Sequence, residues 1–216
     1  MTLHGVSIVT TTWNEKENIE KLIPNIRKVL GSIEHEIVVV DDDSLDGTIQ
    51  VAEKLADLAI KKSREGQSKG LFWGMKLAKH PIIVTIDADL ENDPRYIPEL
   101  IKKTKNFDIV VASRTKLPRI SEKLAQKTLG KILGVKDVFS NFRAYRKETI
   151  SSFKLRGGET FGAEFLVIAK KKGLKTGEIV YEPPTRREDP RIGGKINAEV
   201  RIIWALIKSM IVYLIS

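Results

Sequence analysis

The chain has 216 residues, with 37 Lys and Arg against 28 Asp and Glu, so its formal net charge is +9. This length suits one large domain, and a hydrophobic fraction of 42% excludes a disordered chain. Cysteine is absent, which excludes disulfides, thiolate zinc sites and a cysteine nucleophile. The positive charge favours anionic partners: nucleic acid, phosphorylated metabolites or an acidic membrane surface.

Short apolar runs alternate with amphipathic stretches over the first 115 residues. We predict strands over 6–11, 36–40, 82–86 and 108–112, and helices over 17–30, 48–58 and 71–79. Repeated strand, helix, strand units predict right-handed crossovers and a largely parallel sheet covered by helices on both faces. Ligands bind such sheets beyond the carboxyl ends of the strands, so the residues directly after each strand are the candidates for function.

The second half of the chain is more basic and ends in an apolar helix. We predict helical spacing over 116–160, a helix over 159–172, a strand over 176–181, a loop over 183–194 and a final helix over 198–216. The final helix contains Lys208, and its apolar stretch is shorter than the roughly 20 residues that a membrane span requires. It either packs on the domain or, as Trp204, Tyr213 and the basic surroundings favour, contacts a bilayer or a membrane partner.

Carboxylates follow three successive predicted strands. A β-branched, apolar strand runs into Asp87, Asp89 and Glu91, while Glu15 and Asp41 follow the first and second strands. An isolated Asp-x-Asp is more often a solvated turn, but a random scatter would not place acids after three strands. Since like charges repel, we expect a cation among them, and hard oxygen ligands suit Mg²⁺ or Mn²⁺. The sequence therefore predicts a divalent cation that carries a phosphorylated ligand.

The other acidic residues after the second strand have a simpler interpretation. Asp42, Asp43 and Asp46 suit the capping of the turn before the helix at Thr48 better than direct contact with a ligand. The chain contains no P-loop, no G-x-G-x-x-G fingerprint and no Ser-His-Asp arrangement. Those nucleotide-binding and hydrolase classes are therefore not expected.

Seven segments carry a family resemblance: TTWNEKENI, VVDDDSLDGT, SKGLFWG, DADLENDP, VVASR, NFRAYRKE and REDPRIGGK. In order and separation they resemble the family 2 glycosyltransferases with a GT-A fold, and within them the polyprenyl-phosphate hexose synthases. The resemblance implies an α/β fold over 1–197, with a Rossmann-like, mostly parallel sheet flanked by helices, followed by an amphipathic helix over 198–216. It also implies inverting, metal-dependent transfer of a hexose, with mannose from GDP-mannose favoured, to a polyprenyl (dolichyl) phosphate.

The resemblance also assigns roles to particular residues. Asp87, Asp89 and Glu91 would ligate Mg²⁺ or Mn²⁺. The nucleotide would contact Thr11, Trp13, Glu15, Val39, Asp41, Lys69, Asp87 and Ala88. The acceptor phosphate would contact Arg114, Arg119, Ser121 and Arg143, and the donor diphosphate Arg187, Arg191 and Lys195. Asp89, Arg114, Arg191 and Lys195 are expected to be catalytic, because cationic groups must hold two phosphates in line and offset the charge of the leaving group.

The implied partners are a nucleotide-diphosphate sugar, a polyprenyl phosphate, and either a membrane surface or a small membrane partner protein. The chain shows no N-terminal signal pattern, so we expect a cytoplasmic protein at the inner face of the membrane. A family 2 transferase with a soluble or glycan acceptor is an alternative, and a basic, non-catalytic binding module is a remote one. Nucleic acid is not expected, since acidic groups crowd the strand ends where ligands bind.

Overall fold

Seven strands form one sheet in the computed structural model, which describes residues 5–184 and 194–215. They are β1 (Val6–Thr12), β2 (His35–Asp41), β3 (Leu58–Lys61), β4 (Ile82–Thr85), β5 (Ile109–Arg114), β6 (Arg143–Arg146) and β7 (Thr176–Tyr181). Their spatial order is β3-β2-β1-β4-β6-β5-β7. β6 runs antiparallel to β4 and β5, and the other neighbours pair in parallel. The predicted α/β class with a mostly parallel sheet is confirmed.

Helices cover both faces of this sheet. They are α1 (Lys16–Leu30), α2 (Thr48–Leu55), α3 (Gln67–Leu77), α4 (Ile97–Lys103), α5 (Ile120–Ala125), α6 (Lys131–Leu133), α7 (Lys147–Ile150), α8 (Ala163–Lys171) and α9 (Gly194–Ile215). A π turn (Gln126–Gly130) joins α5 to α6, and a 3-10 turn (Pro94–Tyr96) precedes α4. Along β2, Val38 and Val40 join one buried cluster while Ile37 and Val39 join the other. The central strands are therefore buried on both sides, because successive side chains alternate between faces.

Two strands are absent from the sequence prediction. The helix predicted over 48–58 ends at Leu55, and Leu58–Lys61 is instead a short edge strand that pairs in parallel with β2. The basic region 116–160 is predicted to be helical, yet Arg143–Arg146 is a strand inserted into the middle of the sheet. Both strands have only four residues, which is too short for periodicity to reveal, so long-range pairing decides their conformation.

One later helix also differs from the prediction. The helix expected from residue 159 begins at Ala163, directly after Gly162, whose φ of 76° lies in the left-handed region. The loop predicted over 183–194 lies almost entirely outside the described residues. The final helix is confirmed as α9, which packs against α8 and α5. Among the described residues, no helix combines the length and apolar character needed to cross a membrane.

The close packing of α3 against β1 depends on Gly74. A Cβ atom at this position would lie 2.4 Å from Val9 Cγ1 and 3.2 Å from Val40 Cγ2. We expect Gly74→Ala to lower the free energy of unfolding by about 1–2 kcal/mol, because overpacking outweighs the gain in helix propensity. Urea titration followed by circular dichroism measures this difference. Lys76→Ala, on the exposed side of α3, removes a cation–π contact with Phe72 and should lower the free energy of unfolding by about 0.5 kcal/mol. An equal loss in both variants would contradict the steric explanation.

Candidate functional site

The topology brings the residues that follow β1, β2, β4 and β5 to one edge of the sheet, because these strands run in the same direction. This edge carries Trp13 after β1, Asp42 after β2, Asp87 after β4, and Arg114 at the end of β5. It is the edge at which parallel α/β sheets bind ligands. The fold therefore places these polar side chains at the carboxyl ends of the strands, which is where the sequence predicts the site.

Asp41, at the end of β2, is fully buried and hydrogen-bonded from within the fold. Its Oδ2 accepts hydrogen bonds from Thr12 Oγ1 at 2.9 Å and from Ser44 Oγ at 2.5 Å, and its Oδ1 accepts one from the Ser44 backbone N at 2.9 Å. These bonds fix the turn after β2 against the end of β1. Direct contact between Asp41 and a nucleotide stays a prediction.

The neighbouring Asp42 anchors the loop that precedes α3. Its carboxylate forms a buried ion pair with Lys62 and accepts hydrogen bonds from the backbone N of Glu65 at 3.0 Å and of Gly66 at 3.1 Å. Burial alone would raise the pKa of Asp42, but Lys62 and the two backbone N–H groups together lower it below its usual value. Asp42 therefore has a structural role, but in the loop before α3 rather than in the predicted turn before the helix at Thr48.

Asp46 stabilises the start of α2 in the predicted way. Its Oδ1 accepts hydrogen bonds from the Thr48 backbone N at 3.0 Å and from Thr48 Oγ1 at 2.5 Å, and its Oδ2 accepts one from the Lys16 backbone N at 3.2 Å. Asp43 instead forms an exposed ion pair with Lys61 at 2.9 Å. All three acidic residues of this turn thus have structural contacts within the fold.

Trp13 presents an aromatic surface at the site, and a basic side chain already lies on it. The Trp13 side chain is exposed, and the Arg64 guanidinium carbon lies 3.6 Å from the centre of its ring. The stacked arrangement is a cation–π contact. Sequence reasoning does not single out Arg64, whose only signal is its position in a basic segment shortly before α3.

The remaining predicted nucleotide-binding residues differ in their burial and in their contacts within the fold. Val39 is fully buried within β2, Ala88 is buried after β4, and Thr11 is half-buried in β1. Lys69, on α3, forms an exposed ion pair with Glu65 at 2.9 Å. Glu15 Oε2 accepts a hydrogen bond from Asn18 at 2.6 Å. Their contacts with a nucleotide stay predictions.

Asp87 has a strongly perturbed pKa. Burial, followed by the negative charges of Asp89 and Glu91, raises the pKa of Asp87 to about 7. Gln67 Nε2 donates a hydrogen bond to Asp87 Oδ1 at 2.6 Å, and the Asp87 backbone N donates one to Asn92 Oδ1 at 3.3 Å. Burial and clustered negative charge cause this shift, and a bound cation would reverse it.

Asp89 and Glu91 lie with Asp87 in one turn after β4. Asp89 is exposed, Glu91 is half-buried, and the Glu91 backbone N donates a hydrogen bond to Asp89 Oδ1 at 3.0 Å. Within residues 5–184 and 194–215, no group of three His, Asp or Glu side chains converges closely enough to hold a metal ion by itself. The donor set still fits Mg²⁺ or Mn²⁺, because such ions use one or two carboxylates and complete their coordination with phosphate and water oxygens.

Two arginines predicted to bind the acceptor phosphate, Arg114 at the end of β5 and Arg119 directly before α5, share the carboxylate of Glu122 on α5. Arg114 donates to Asp137 Oδ2 at 2.6 Å and to Glu122 Oε1 at 3.2 Å. Arg119 donates to the same Glu122 oxygen at 2.9 Å. Burial opposes the charged form of Arg114, but the two carboxylates raise its pKa above the usual value. Both guanidinium groups are therefore held in fixed positions beside the start of α5.

The other two residues predicted at the acceptor phosphate are buried. Arg143 is fully buried, and its guanidinium donates to the backbone O of Gly162 at 2.7 Å and of Val138 at 2.9 Å. Ser121 is 2% exposed, and its Oγ has no hydrogen-bond partner among the described residues. These contacts place Arg143 inside the fold rather than on its surface, and its contact with a phosphate stays a prediction.

The predicted diphosphate-binding residues cannot be placed relative to this edge. Arg187, Arg191 and the side chain of Lys195 lie outside the described part of the chain. Besides Arg64, the structure adds two residues that sequence reasoning misses: Gln67, which contacts Asp87, and Asn92, whose Nδ2 donates to Tyr181 Oη at 2.9 Å. Neither residue carries a signal in the sequence, since amides of this kind are common at turns and helix ends.

The sheet order, the antiparallel β6 and the acidic turn after β4 define an α/β protein of the GT-A type. Residues 7–174 match the model of glycosyl transferase family 2. Because that match covers most of the chain, the chain belongs to this family. The resemblance expected from its motifs is confirmed.

Two curated proteins are similar in sequence to this chain. The chain is 34% identical to dolichol-phosphate mannosyltransferase of Pyrococcus furiosus over an alignment of 227 positions. This alignment covers 94% of this chain and 64% of that protein. It is 31% identical over 167 residues to undecaprenyl-phosphate 4-deoxy-4-formamido-L-arabinose transferase of Pseudomonas fluorescens, covering 69% of this chain and 49% of that protein. The chain therefore spans less than two thirds of the length of these curated relatives.

A solved structure supports the fold. Glucosyl-3-phosphoglycerate synthase of Mycobacterium tuberculosis, in complex with Mn²⁺, UDP and glucosyl-3-phosphoglycerate, matches with a TM-score of 0.78. The identity is 20%, and the match covers 95% of this chain and 79% of that structure. At this identity the likeness establishes the shared fold alone.

Proposed function

We propose that this chain is an inverting glycosyltransferase that moves a hexose from a nucleotide-diphosphate sugar to a polyprenyl phosphate, using Mg²⁺ or Mn²⁺. The observation that carries the proposal is the acidic turn after β4, where burial and neighbouring carboxylates raise the pKa of Asp87 to about 7. A site with this excess of negative charge suits a cation-bound diphosphate. Both named relatives are transferases whose names specify a polyprenyl phosphate.

The donor half of the site would be formed by β1, β2 and β4. Asp87, Asp89 and Glu91 would supply carboxylate oxygens to the cation, which when bound offsets the charge that develops on the departing diphosphate. Trp13 would offer its ring to the base, and Arg64 is positioned to cover the base or to contact a phosphate. GDP-mannose is the donor we favour.

The acceptor half would lie between the end of β5 and the start of α5. A polyprenyl phosphate brings its own anionic oxygen, so a strong general base is not required. This oxygen attacks C1 of the sugar while the bond from C1 to the diphosphate oxygen breaks, and both electrons leave with the nucleoside diphosphate. Arg114 and Arg119 would orient the acceptor phosphate, because Asp137 and Glu122 hold their guanidinium groups in place. Such an enzyme would act at the cytoplasmic face of a membrane.

A thermal-shift screen followed by a transfer assay tests the proposal. We expect GDP-mannose with Mn²⁺ or Mg²⁺ to raise the melting temperature more than UDP- or CDP-sugars do, since a ligand that binds only the folded state stabilises it. Labelled mannose should then pass to a polyprenyl phosphate. If no nucleotide sugar raises the melting temperature with metal present, the proposed donor site is wrong. Transfer to 3-phosphoglycerate with none to the lipid would support the alternative of a soluble acceptor.

A further inference from the structure

The side of α9 that points away from the domain is apolar. The residues that face the domain are Ala198, Ile202, Ala205, Leu206, Ser209 and Val212, all of them buried. The exposed apolar residues are Val200, Ile203, Trp204, Ile207, Ile211, Leu214 and Ile215. Because these exposed positions recur every three or four residues, they form one continuous stripe along the helix. Packing on the domain explains the buried set and leaves the exposed stripe unexplained.

α5 extends this apolar stripe. Ile120 and Leu124 on α5 are 79% and 46% exposed. Glu199 ties the two helices together, since its Oε1 accepts a hydrogen bond from the Ile120 backbone N at 3.2 Å and its Oε2 accepts one from the Ser121 backbone N at 2.9 Å. We refer to the exposed apolar residues of both helices together as the α5–α9 surface.

The charges beside the α5–α9 surface are positive. Lys123 and Lys127 are exposed one helical turn apart, and Arg201 and Lys208 are exposed along α9. Glu199 is the only acidic residue between positions 197 and 215, and its carboxylate is directed at the start of α5. The surface therefore combines an apolar stripe with cations, which is the composition of helices that lie in an anionic membrane interface.

We propose that the α5–α9 surface rests on a lipid bilayer with anionic headgroups. α9 would lie parallel to the membrane plane, with Trp204 and its apolar neighbours at the acyl boundary and the flanking cations at the headgroup phosphates. A second copy of the chain is a poorer occupant, because the lysines of two such faces would repel each other. The inference rests on the proposed function for its purpose: Arg119 lies directly before α5 and is half-buried, so a lipid phosphate could reach its guanidinium from the same bilayer.

Flotation with vesicles tests the apolar part of this surface. We expect the protein to float with phosphatidylcholine vesicles that contain phosphatidylglycerol, and to float less with phosphatidylcholine alone. The double variant Trp204→Ser/Ile207→Ser should weaken binding about tenfold or more, because it removes the largest exposed apolar contact. Trp73→Ser/Leu77→Ser is the matched control, since these residues are 49% and 44% exposed on α3. It should float like the unmodified protein.

A charge variant tests the choice of lipid. Lys123→Glu/Lys127→Glu should lower binding to the phosphatidylglycerol vesicles by about tenfold or more, because each basic residue near such a surface contributes appreciably. The same change at the exposed Lys102 and Lys105 of the α4 region should have little effect. Absence of flotation of the unmodified protein, or equal flotation of the Trp204→Ser/Ile207→Ser variant, would overturn the proposal.

Two further measurements separate this inference from its alternatives. If light scattering finds a dimer that Trp204→Ser/Ile207→Ser converts to a monomer, while vesicles bind neither form, a second copy covers the surface and the proposal is wrong. Thermal shifts with nucleotide sugars are measured on the same variants. Lost flotation with an unchanged nucleotide shift supports the membrane surface, whereas flotation without any nucleotide shift retains the surface and refutes the proposed donor site.

Discussion

Replacing Asp89 with alanine is expected to remove metal-dependent nucleotide binding and to lower kcat/KM for hexose transfer roughly a thousandfold. Asp89 is exposed beside Asp87 and Glu91, so its loss removes a carboxylate from the proposed cation site without opening a cavity in the core. Fewer oxygen ligands would weaken cation binding, and the departing diphosphate would lose the charge that offsets its own. The measurements are the melting temperature with Mn²⁺ and nucleotide sugar, and the rate of transfer of labelled hexose.

A control for this variant must remove one exposed negative charge outside the acidic turn. Glu99→Gln serves this purpose, because Glu99 is exposed on α4 and outside the acidic turn. Glu99→Gln should retain the metal-dependent shift and the transfer rate. Full activity of Asp89→Ala would show that Asp89 is not a metal ligand, and equal losses in both variants would point to net charge rather than to coordination.

Asp42→Asn is expected to lower the free energy of unfolding by about 3 kcal/mol or more, because it leaves the buried Lys62 ammonium without a charged partner. Asp42 also accepts hydrogen bonds from the backbone N of Glu65 and Gly66, one on each oxygen, and asparagine can keep only one of the two, so the loop that carries Arg64 is held less firmly. Chemical denaturation at neutral pH measures the loss. Lys62→Met added to Asp42→Asn should restore part of it, because the unpaired buried charge is then gone.

The neighbouring residue provides a matched control. Asp43→Asn removes a carboxylate whose ion pair with Lys61, at 2.9 Å, is exposed, and it keeps a residue type that tolerates the φ of 66°. It should lower the free energy of unfolding far less than Asp42→Asn does, because solvent screens an exposed ion pair. If Asp42→Asn and Asp43→Asn lowered the free energy of unfolding equally, burial of the Asp42–Lys62 ion pair would contribute nothing to stability.

The pH dependence of the Asp42 contribution follows from the direction of its pKa shift. The folded protein lowers the pKa of Asp42 below its usual value of 3.8, so its stabilisation is fully present above that value. It is lost as the pH falls through the lower, folded pKa. The difference in unfolding free energy between the unmodified protein and Asp42→Asn should therefore shrink below about pH 4.

Much of the site can be located from the sequence. Alternating apolar runs and helices predict a mostly parallel sheet, and that sheet predicts a site at the carboxyl ends of its strands. The sequence assigns Asp41, Asp87 and Arg114 to strand ends, and the fold brings those strand ends to one edge. The prediction of these strand ends succeeds because the relevant signal, a strand followed by polar residues, is local.

Other features depend on contacts between distant segments. Arg143 is expected at a phosphate, yet the pairing of β6 with β4 and β5 buries it, and its guanidinium holds the carbonyl groups of Gly162 and Val138. Arg64 contacts Trp13 from the loop before α3, and Asp42 holds that loop through the backbone N of Glu65. Neither arrangement leaves a periodic pattern, since each joins segments far apart in the chain.

The amino-acid sequence by itself determined the fold class, the family and the edge of the sheet that carries the acidic turn, because periodicity and short motifs encode them locally. It also determined that the final helix is apolar around most of its circumference. Only the tertiary structure decided which side of α9 packs on the domain and which stays exposed beside α5. The physical reason is that burial depends on which surfaces meet, and the contact between Glu199 and the start of α5 joins segments that lie far apart in the chain.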